Sequence, residues 1–338
     1  MDSTSWKDFS KIDPELEALL PHLPPFQPLA DHKDVHHLRH SMISGSEYLI
    51  SAGLIKAPDL TGISKEEIRV PTRDGLSIRA VHYRPTSNTP GPLLVYFFGG
   101  GWTFGWPESK ESWFEILVKE LGFVVVGVDY RLSPEYVFPK AAEDGWDALK
   151  WTAENAPTLG ADPSKGLIVW GTSAGGNLAA VASHMAVDAK LSPPVTGVFL
   201  EVPVLVHPEA VPEKYKPHYN SYEDNKAPVF LPREDLTYIY NSYKPDPSSP
   251  LMSPLLWPGG HKGQPPTYLM LCGQDPLRDE GLIYEHCLRE DCGVPTRLDL
   301  YPGLPHSAPD IFPNLSIHRR SQRDMKAGLE WLLSHSIC

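Results

Sequence analysis

Gly166-Leu167-Ile168-Val169-Trp170 leads through Gly171-Thr172-Ser173-Ala174-Gly175 into Gly176-Asn177-Leu178-Ala179-Ala180-Val181-Ala182. This reads as an apolar strand, a sharp turn and a small-residue helix, with a serine at the apex. A serine held there projects its hydroxyl away from the sheet. Glycines flank it because strand and helix backbones cross too closely for side chains. The helix also presents its positive N-terminal end, which suits a developing oxyanion. The pattern G-x-S-x-G alone fits an ordinary glycine-rich turn as well. The strand before it and the helix after it favour a nucleophile, provided that partners exist.

Working outward, strands alternate with helices. Residues 67–70 and 76–83 read as strands around a turn at Arg73-Asp74-Gly75. The run Leu93-Leu94-Val95-Tyr96-Phe97-Phe98 is continuously apolar, as a central strand should be. Further strands are expected at 123–128, 198–202, 267–272 and 296–301, with helices at 109–121, 141–154 and 323–333. Such alternation implies an α/β fold, with a mostly parallel central sheet and helices on both faces. Ligands of such sheets bind beyond the carboxyl ends of the strands.

Two stretches break the alternation. The first 60 residues read as helical and loop-rich, with Val35, Leu38, Met42 and Leu49 in helical period and Pro24-Pro25 and Pro28 interrupting before them. From His207 to Pro250, eight prolines and seven large aromatics fall in 44 residues, with one short helix near Arg233 to Tyr243. The chain therefore divides into an N-terminal helical cap segment (1–60), a core (61–206 and 251–338) and a cap insertion (207–250). The two odd segments are expected to form a lid over the strand ends. An irregular surface excursion is the alternative.

A serine hydroxyl needs a base, and the base needs an orienting acid. The strand ending at Cys272 runs into Gly273-Gln274-Asp275, and the strand ending at Tyr301 runs into Pro302-Gly303-Leu304-Pro305-His306. An acid and then a histidine thus follow consecutive late strands. Asp279 competes with Asp275, but it stands farther from the strand end and suits a helix cap or an ion pair. Of the 14 histidines, only His306 follows a late strand through a Gly-Leu-Pro turn. Acyl transfer also needs oxyanion donors. The N–H groups of Gly100 and Gly101, in Phe98-Gly99-Gly100-Gly101-Trp102, are expected to supply them with that of Ala174. A phosphate cradle has no supporting pattern, neither G-x-x-x-x-G-K-[ST] nor G-x-G-x-x-G. Trp102 and Phe104 are expected along one side of a substrate pocket, with the cap tyrosines Tyr222 and Tyr238 opposite. Core packing is the alternative for each.

Composition narrows the classes. Lysine and arginine number 30 against 42 acidic residues, a net charge of −12, which argues against nucleic acid and anionic membranes as partners. No apolar run approaches a membrane span. The stretch Met1-Asp2-Ser3-Thr4-Ser5-Trp6-Lys7-Asp8 lacks the basic start and apolar core of a signal peptide, so a cytoplasmic location is expected. Four cysteines (272, 287, 292 and 338) read as free thiols in a reducing compartment. No metal or other cofactor is expected, since His36, His37 and His40 share a helical face without further ligands.

These motifs together resemble the hormone-sensitive-lipase-like branch of the α/β-hydrolases, the HGGG carboxylesterases. The resemblance rests on the triple glycine followed by an aromatic, Asp129-Tyr130-Arg131-Leu132-Ser133-Pro134-Glu135, Gly171-Thr172-Ser173-Ala174-Gly175-Gly176-Asn177 and Asp275-Pro276-Leu277-Arg278-Asp279-Glu280, across roughly residues 65 to 335. The order Ser173, Asp275, His306 is that of the family. The resemblance implies an α/β-hydrolase fold with a helical cap. It also implies hydrolysis of small to medium carboxylic esters, natural-product esters among them, through an acyl-enzyme, and dimers are common among relatives. Two positions depart from the pattern. Phe98 stands where the family usually has histidine, so the glycine loop must be held differently, and His306-Ser307-Ala308 replaces His-Gly-Phe. Both point to a specialised substrate. An acyltransferase or lyase on the same fold is one alternative. A non-catalytic ligand-binding relative is another, but such relatives lose the histidine that His306 provides.

Overall fold

The computed structural model describes residues 3, 6–23, 27–32, 34–53, 55–87, 89–226 and 230–336. Of the residues named above, Met1, Asp2, Thr4, Ser5, Pro24, Pro25 and Cys338 lie outside the described residues. The first helices are α1 (Pro14–Leu19) and α2 (Val35–Ser51). The sheet begins with β1 (Ile63–Pro71) and β2 (Ser77–Pro85). Then come β3 (Leu93–Phe97), α3 (Glu111–Leu121), β4 (Val124–Val128) and α4 (Lys140–Glu154). The central turn joins β5 (Leu167–Thr172) to α5 (Ala174–Asp188), and β6 (Gly197–Glu201) follows. The insertion carries α6 (Ser221–Asp224) and α7 (Arg233–Tyr243). The chain closes with β7 (Thr267–Cys272), α8 (Arg278–His286), β8 (Thr296–Tyr301), α9 (Ala308–Ile311) and α10 (Ser316–His335).

The eight strands form one sheet in the order β1-β2-β4-β3-β5-β6-β7-β8. Two antiparallel pairings, β1 with β2 and β2 with β4, precede parallel pairings throughout the rest. Strands β3 to β7 are buried along their whole length, which is why they read as unbroken apolar runs. The edge strand β1 begins four residues before the expected strand, because Ser64-Lys65-Glu66 is polar and lies at the solvated margin. Helix α10 likewise begins seven residues before Arg323, since Ser316–Gln322 holds one apolar residue, Ile317, and shows no period.

Register explains the packing of each face. Tyr96, Trp170, Phe199 and Tyr268 are neighbours across β3, β5, β6 and β7. Their rings follow one another at 4.6, 5.3 and 4.6 Å between centroids. Phe114 of α3 packs edge-on against Tyr96 and Trp170, and Gly328 of α10 lies so close to Tyr268 that a Cβ would stand 2.1 Å from its ring. On the other face, α4 passes Gly145 over the Phe97 ring, and His184 of α5 lies 3.0 Å from the hydroxyl of Tyr284 in α8. No helix among the described residues is long and apolar enough to cross a membrane. Cys272, Cys287 and Cys292 are free thiols.

Both irregular stretches reach the carboxyl ends of the strands. The chain near Phe9 to Asp13 bonds to Gly303, and Ser10 accepts from Gln274 and Arg278, so it crosses the loops after β7 and β8. The N–H of Leu29 donates to the Asp235 carboxylate of α7 at 2.7 Å. Arg39 of α2 donates to the carbonyls of Thr103 and Ser133.

Candidate active site

Strand β5 ends at Thr172, and the chain turns through Ser173 at φ 57°, ψ −118° into α5. A Cβ on Gly171 would lie 1.9 Å from the Gly175 carbonyl oxygen, and one on Gly175 would lie 2.0 Å from that of Phe97. Neither site accepts a side chain. The Ser173 N–H donates to the Glu201 carbonyl at 2.8 Å, which fixes the strained residue to the end of β6.

The loops after β7 and β8 meet at this turn, joined by the Gln274 N–H donating to the Leu304 carbonyl at 2.9 Å. His306 Nε2 lies 2.9 Å from Ser173 Oγ, and His306 Nδ1 lies 2.7 Å from Asp275 Oδ2. The other Asp275 oxygen accepts from the Leu277 N–H at 2.9 Å. A carboxylate only accepts, so Nδ1 carries the proton and Nε2 is left to receive that of the serine. Ser173, His306 and Asp275 are all at least nine-tenths buried. Asp279 has another occupation. It pairs with Arg278 at 2.8 Å and accepts from the N–H groups of Asn220 and Ser221, anchoring the insertion at the start of α6.

The glycine loop passes beside the serine: a Cβ on Gly99 would stand 3.3 Å from Ser173 Cβ. Gly100 (φ 125°) and Gly101 (φ 58°) adopt backbone that side chains rarely take. Among the described residues, the N–H groups of Gly100, Gly101 and Ala174 donate to no protein acceptor. Phe98 is held by Tyr130. Their rings stack at 4.2 Å and 15°, and the Tyr130 hydroxyl donates to the Phe98 carbonyl at 2.8 Å. Tyr130 is the residue that motif reading left without a role. Its signal is positional, since it stands two residues past the end of β4, and β4 pairs with β3 just before the loop.

A cavity of about 320 Å³ opens onto Ser173 and His306. Leu29 and Met42 line it from the N-terminal segment, Trp102 and Phe104 from the glycine loop, and Leu236 and Ile239 from α7. Trp102 is also stacked on Tyr243 at 4.5 Å. The structure corrects the expectation for Tyr222 and Tyr238, neither of which lines the cavity. Helix α7 turns Asp235, Leu236, Ile239 and Tyr240 inward, and Tyr238 falls off that face. Tyr222 is taken up by Tyr219 and by the Arg233 guanidinium 5.1 Å away. Lys110 and Asp310, which carry no motif, do lie in the wall. Among the described residues, no group of three or more His, Cys, Asp or Glu is placed to hold a metal ion.

Residues 94–309 match the family model described as alpha/beta hydrolase fold. An "AB hydrolase superfamily protein" of Schizosaccharomyces pombe is 38% identical over 97% of this chain and 95% of its own length. A "versiconal hemiacetal acetate esterase" of Dothistroma septosporum is 37% identical over 72% of this chain and 75% of its own. Among solved structures, a vibralactone cyclase superposes with a TM-score of 0.88 at 34% identity, covering 97% of each chain.

Proposed function

The chain belongs to the α/β-hydrolase family, in its hormone-sensitive-lipase-like carboxylesterase branch, and from that premise we propose that it hydrolyses a small to medium carboxylic ester through an acyl-enzyme on Ser173. The observation that carries the reading is the continuous line Ser173–His306–Asp275, at 2.9 and 2.7 Å, beside a glycine loop whose Gly100 and Gly101 N–H groups, like that of Ala174, meet no protein acceptor among the described residues.

In this mechanism Ser173 Oγ attacks the ester carbonyl while His306 Nε2 takes its proton. Asp275 orients the ring and stabilises the imidazolium. The N–H groups of Gly100, Gly101 and Ala174 hold the oxyanion. The intermediate collapses, and the alcohol leaves with the proton from His306. Water then attacks the acyl-enzyme with His306 as base, freeing the acid and restoring Ser173. The cavity of about 320 Å³ falls near the lower end of ligand sites, roughly 300–1,000 Å³, which favours small to medium substrates. The esterase relative named for an acetate ester supports a short-acyl ester as the substrate class. Cys272, Cys287 and Cys292, free among the described residues, fit a reducing, cytoplasmic setting. The segments 1–60 and 207–250 serve as the cap that shapes the cavity.

A fluorophosphonate probe tests this reading. Wild type should label and Ser173→Ala should not. An unlabelled wild type, or equal labelling of both, overturns it. A series of p-nitrophenyl esters should then show turnover falling as the acyl chain lengthens.

The likeness to a cyclase supports a second reading, in which an internal hydroxyl of the acyl group rather than water attacks the acyl-enzyme and closes a lactone. Product analysis separates the two: a free acid indicates hydrolysis and a cyclic ester indicates closure.

A further inference from the structure

Lys110 is a buried ammonium in the cavity wall, and the chemistry above makes no use of it. Its Nζ stands 2.8 and 2.9 Å from the two carboxylate oxygens of Glu201 and 2.5 Å from Asp310 Oδ2. The rings of Trp113 and Trp170 flank it at 5.3 and 5.6 Å. Burial alone would drive the ammonium toward neutrality, but the carboxylates of Asp310 and Glu201 outweigh it and hold the lysine above its ordinary pKa. Burying the Lys110 ammonium and the Glu201 carboxylate, with Asp310 partly covered beside them, is costly, and apolar side chains fill a volume at less cost. What these groups hold is therefore the question.

Glu201 grips the nucleophile turn twice. Its carbonyl accepts the Ser173 N–H at 2.8 Å, and its Oε2 accepts the Thr172 hydroxyl at 2.6 Å. Asp310 lies in α9, one helical turn beyond His306. Its N–H donates to the Ser307 carbonyl at 3.0 Å, and its Oδ1 accepts from Trp113 Nε1 at 3.0 Å. Ser173 and Ser307 both hold positive φ, 57° and 55°, without being glycine. Such residues persist only where their surroundings over-determine them. The serine and the residue after the histidine both hold positive φ, and each bonds through the main chain to a residue, Glu201 or Asp310, whose carboxylate pairs with the one ammonium.

We propose that Lys110 is a positioning residue, tying the turn that carries Ser173 to the turn that carries His306 through Glu201 and Asp310. This rests on the acyl-enzyme reading. The ammonium's hydrogen bonds go to the two carboxylates, and it acts on the reaction through them. It sets the separation across which the serine proton moves, where a small misplacement lowers turnover rather than binding.

The test compares wild type, Thr172→Val and the neutral triple variant Lys110→Met/Glu201→Gln/Asp310→Asn on p-nitrophenyl acetate, with circular dichroism melts. Thr172→Val keeps the side chain's shape and removes the hydroxyl that bonds to Glu201 and also meets the Tyr96 hydroxyl. We expect kcat to fall about tenfold in Thr172→Val and on the order of 10²-fold in the triple variant, with KM within about twofold of wild type. The triple variant should melt near wild type, because an apolar or neutral replacement of a buried ion network does not destabilise as a broken pair does. Either variant, folded, with wild-type kcat overturns the proposal, as does a loss carried by KM alone. If the triple variant does not fold, Thr172→Val decides. Failure of the acyl-enzyme reading shows separately, as a wild type that fluorophosphonate does not label.

Discussion

The turn at Ser173 and helix α7 face each other across one cavity, yet they are held by different kinds of bond. At the turn, backbone meets backbone. The Ser173 N–H bonds to the Glu201 carbonyl, and Gly171 and Gly175 leave no space for a Cβ beside neighbouring carbonyls. Helix α7 is seated largely by side chains: Asp235 on the Leu29 N–H, Tyr243 on the Trp102 ring, and Ile239 against Gly101. Backbone contacts tolerate almost no change of residue. Side-chain contacts tolerate many. The half that performs the chemistry is therefore fixed, and the half that selects the substrate is free to vary on the same frame.

The largest effect should come from the fixed half. Ser173→Ala is expected to lower kcat/KM roughly 10⁴-fold with an unchanged melting temperature, measured on p-nitrophenyl acetate. A substitution confined to the cap that matched this loss would break the contrast. Gly101→Ala tests the seam itself. Its new methyl sits at φ 58° and would lie 2.6 Å from Ile239 Cδ1. Displacing one oxyanion donor should cost on the order of 10²-fold in kcat. If the cap yields as a side-chain contact should, adding Ile239→Ala recovers part of that loss. A double variant no better than Gly101→Ala would mean that backbone strain alone sets the cost.

Legibility in the sequence follows the same division. A backbone-to-backbone contact leaves glycine as its trace, so Gly171, Gly175, Gly100 and Gly101 were readable, and strand ends pointed to Asp275 and His306. The central strands were readable because burial on both faces demands continuous apolar residues. The polar edge strand β1 and the polar first turns of α10 were readable only in part. Cap contacts leave no such trace. Tyr238 and Ile239 are adjacent, and only the rotation of α7 decides which of them meets the cavity. Lys110 stayed hidden because its partners, Glu201 and Asp310, lie 91 and 200 residues away, joined by tertiary packing alone. The replacement of histidine by Phe98 was legible as a question. Its answer needed the stacking on Tyr130.

Acid should loosen the fixed half from behind. His184, on α5, stacks on Trp257 at 4.6 Å and lies 3.2 Å from His261 Nδ1. Burial holds His184 down to about 3, with His261 adding to it, and holds His261 down to about 4. Both values lie below the unfolded histidine pKa of about 6.5, so the folded protein keeps these rings neutral while the unfolded chain takes up protons. Their contribution is complete above that value and is lost as pH falls from about 6.5 toward 4 for His261 and toward 3 for His184. By pH 5 each should cost about 2 kcal/mol, seen as a lower urea midpoint than at pH 8. Equal midpoints at both pH values would show that these rings protonate without unfolding the core.

The smallest effect should come from the cap's hold on the core. Arg39 of α2 donates to the Thr103 carbonyl at 2.7 Å and the Ser133 carbonyl at 2.6 Å, and pairs with Glu135. The ion pair with Glu135 is bidentate and partly solvated, and it adds to the two carbonyl bonds. Removing all of these with Arg39→Ala should weaken the seating of α2, from which Met42 reaches the cavity. If α2 only shapes the pocket, the loss is uniform binding: KM rises about fivefold, about 1 kcal/mol, with kcat unchanged. Thr103, however, lies one turn beyond the oxyanion donors, and its hydroxyl donates to the Gly101 carbonyl at 2.9 Å. A fall in kcat at constant KM would mean that α2 braces the glycine loop through Arg39. The cap would then belong to the machinery it covers, and the division between a fixed and a selecting half would fail at that residue.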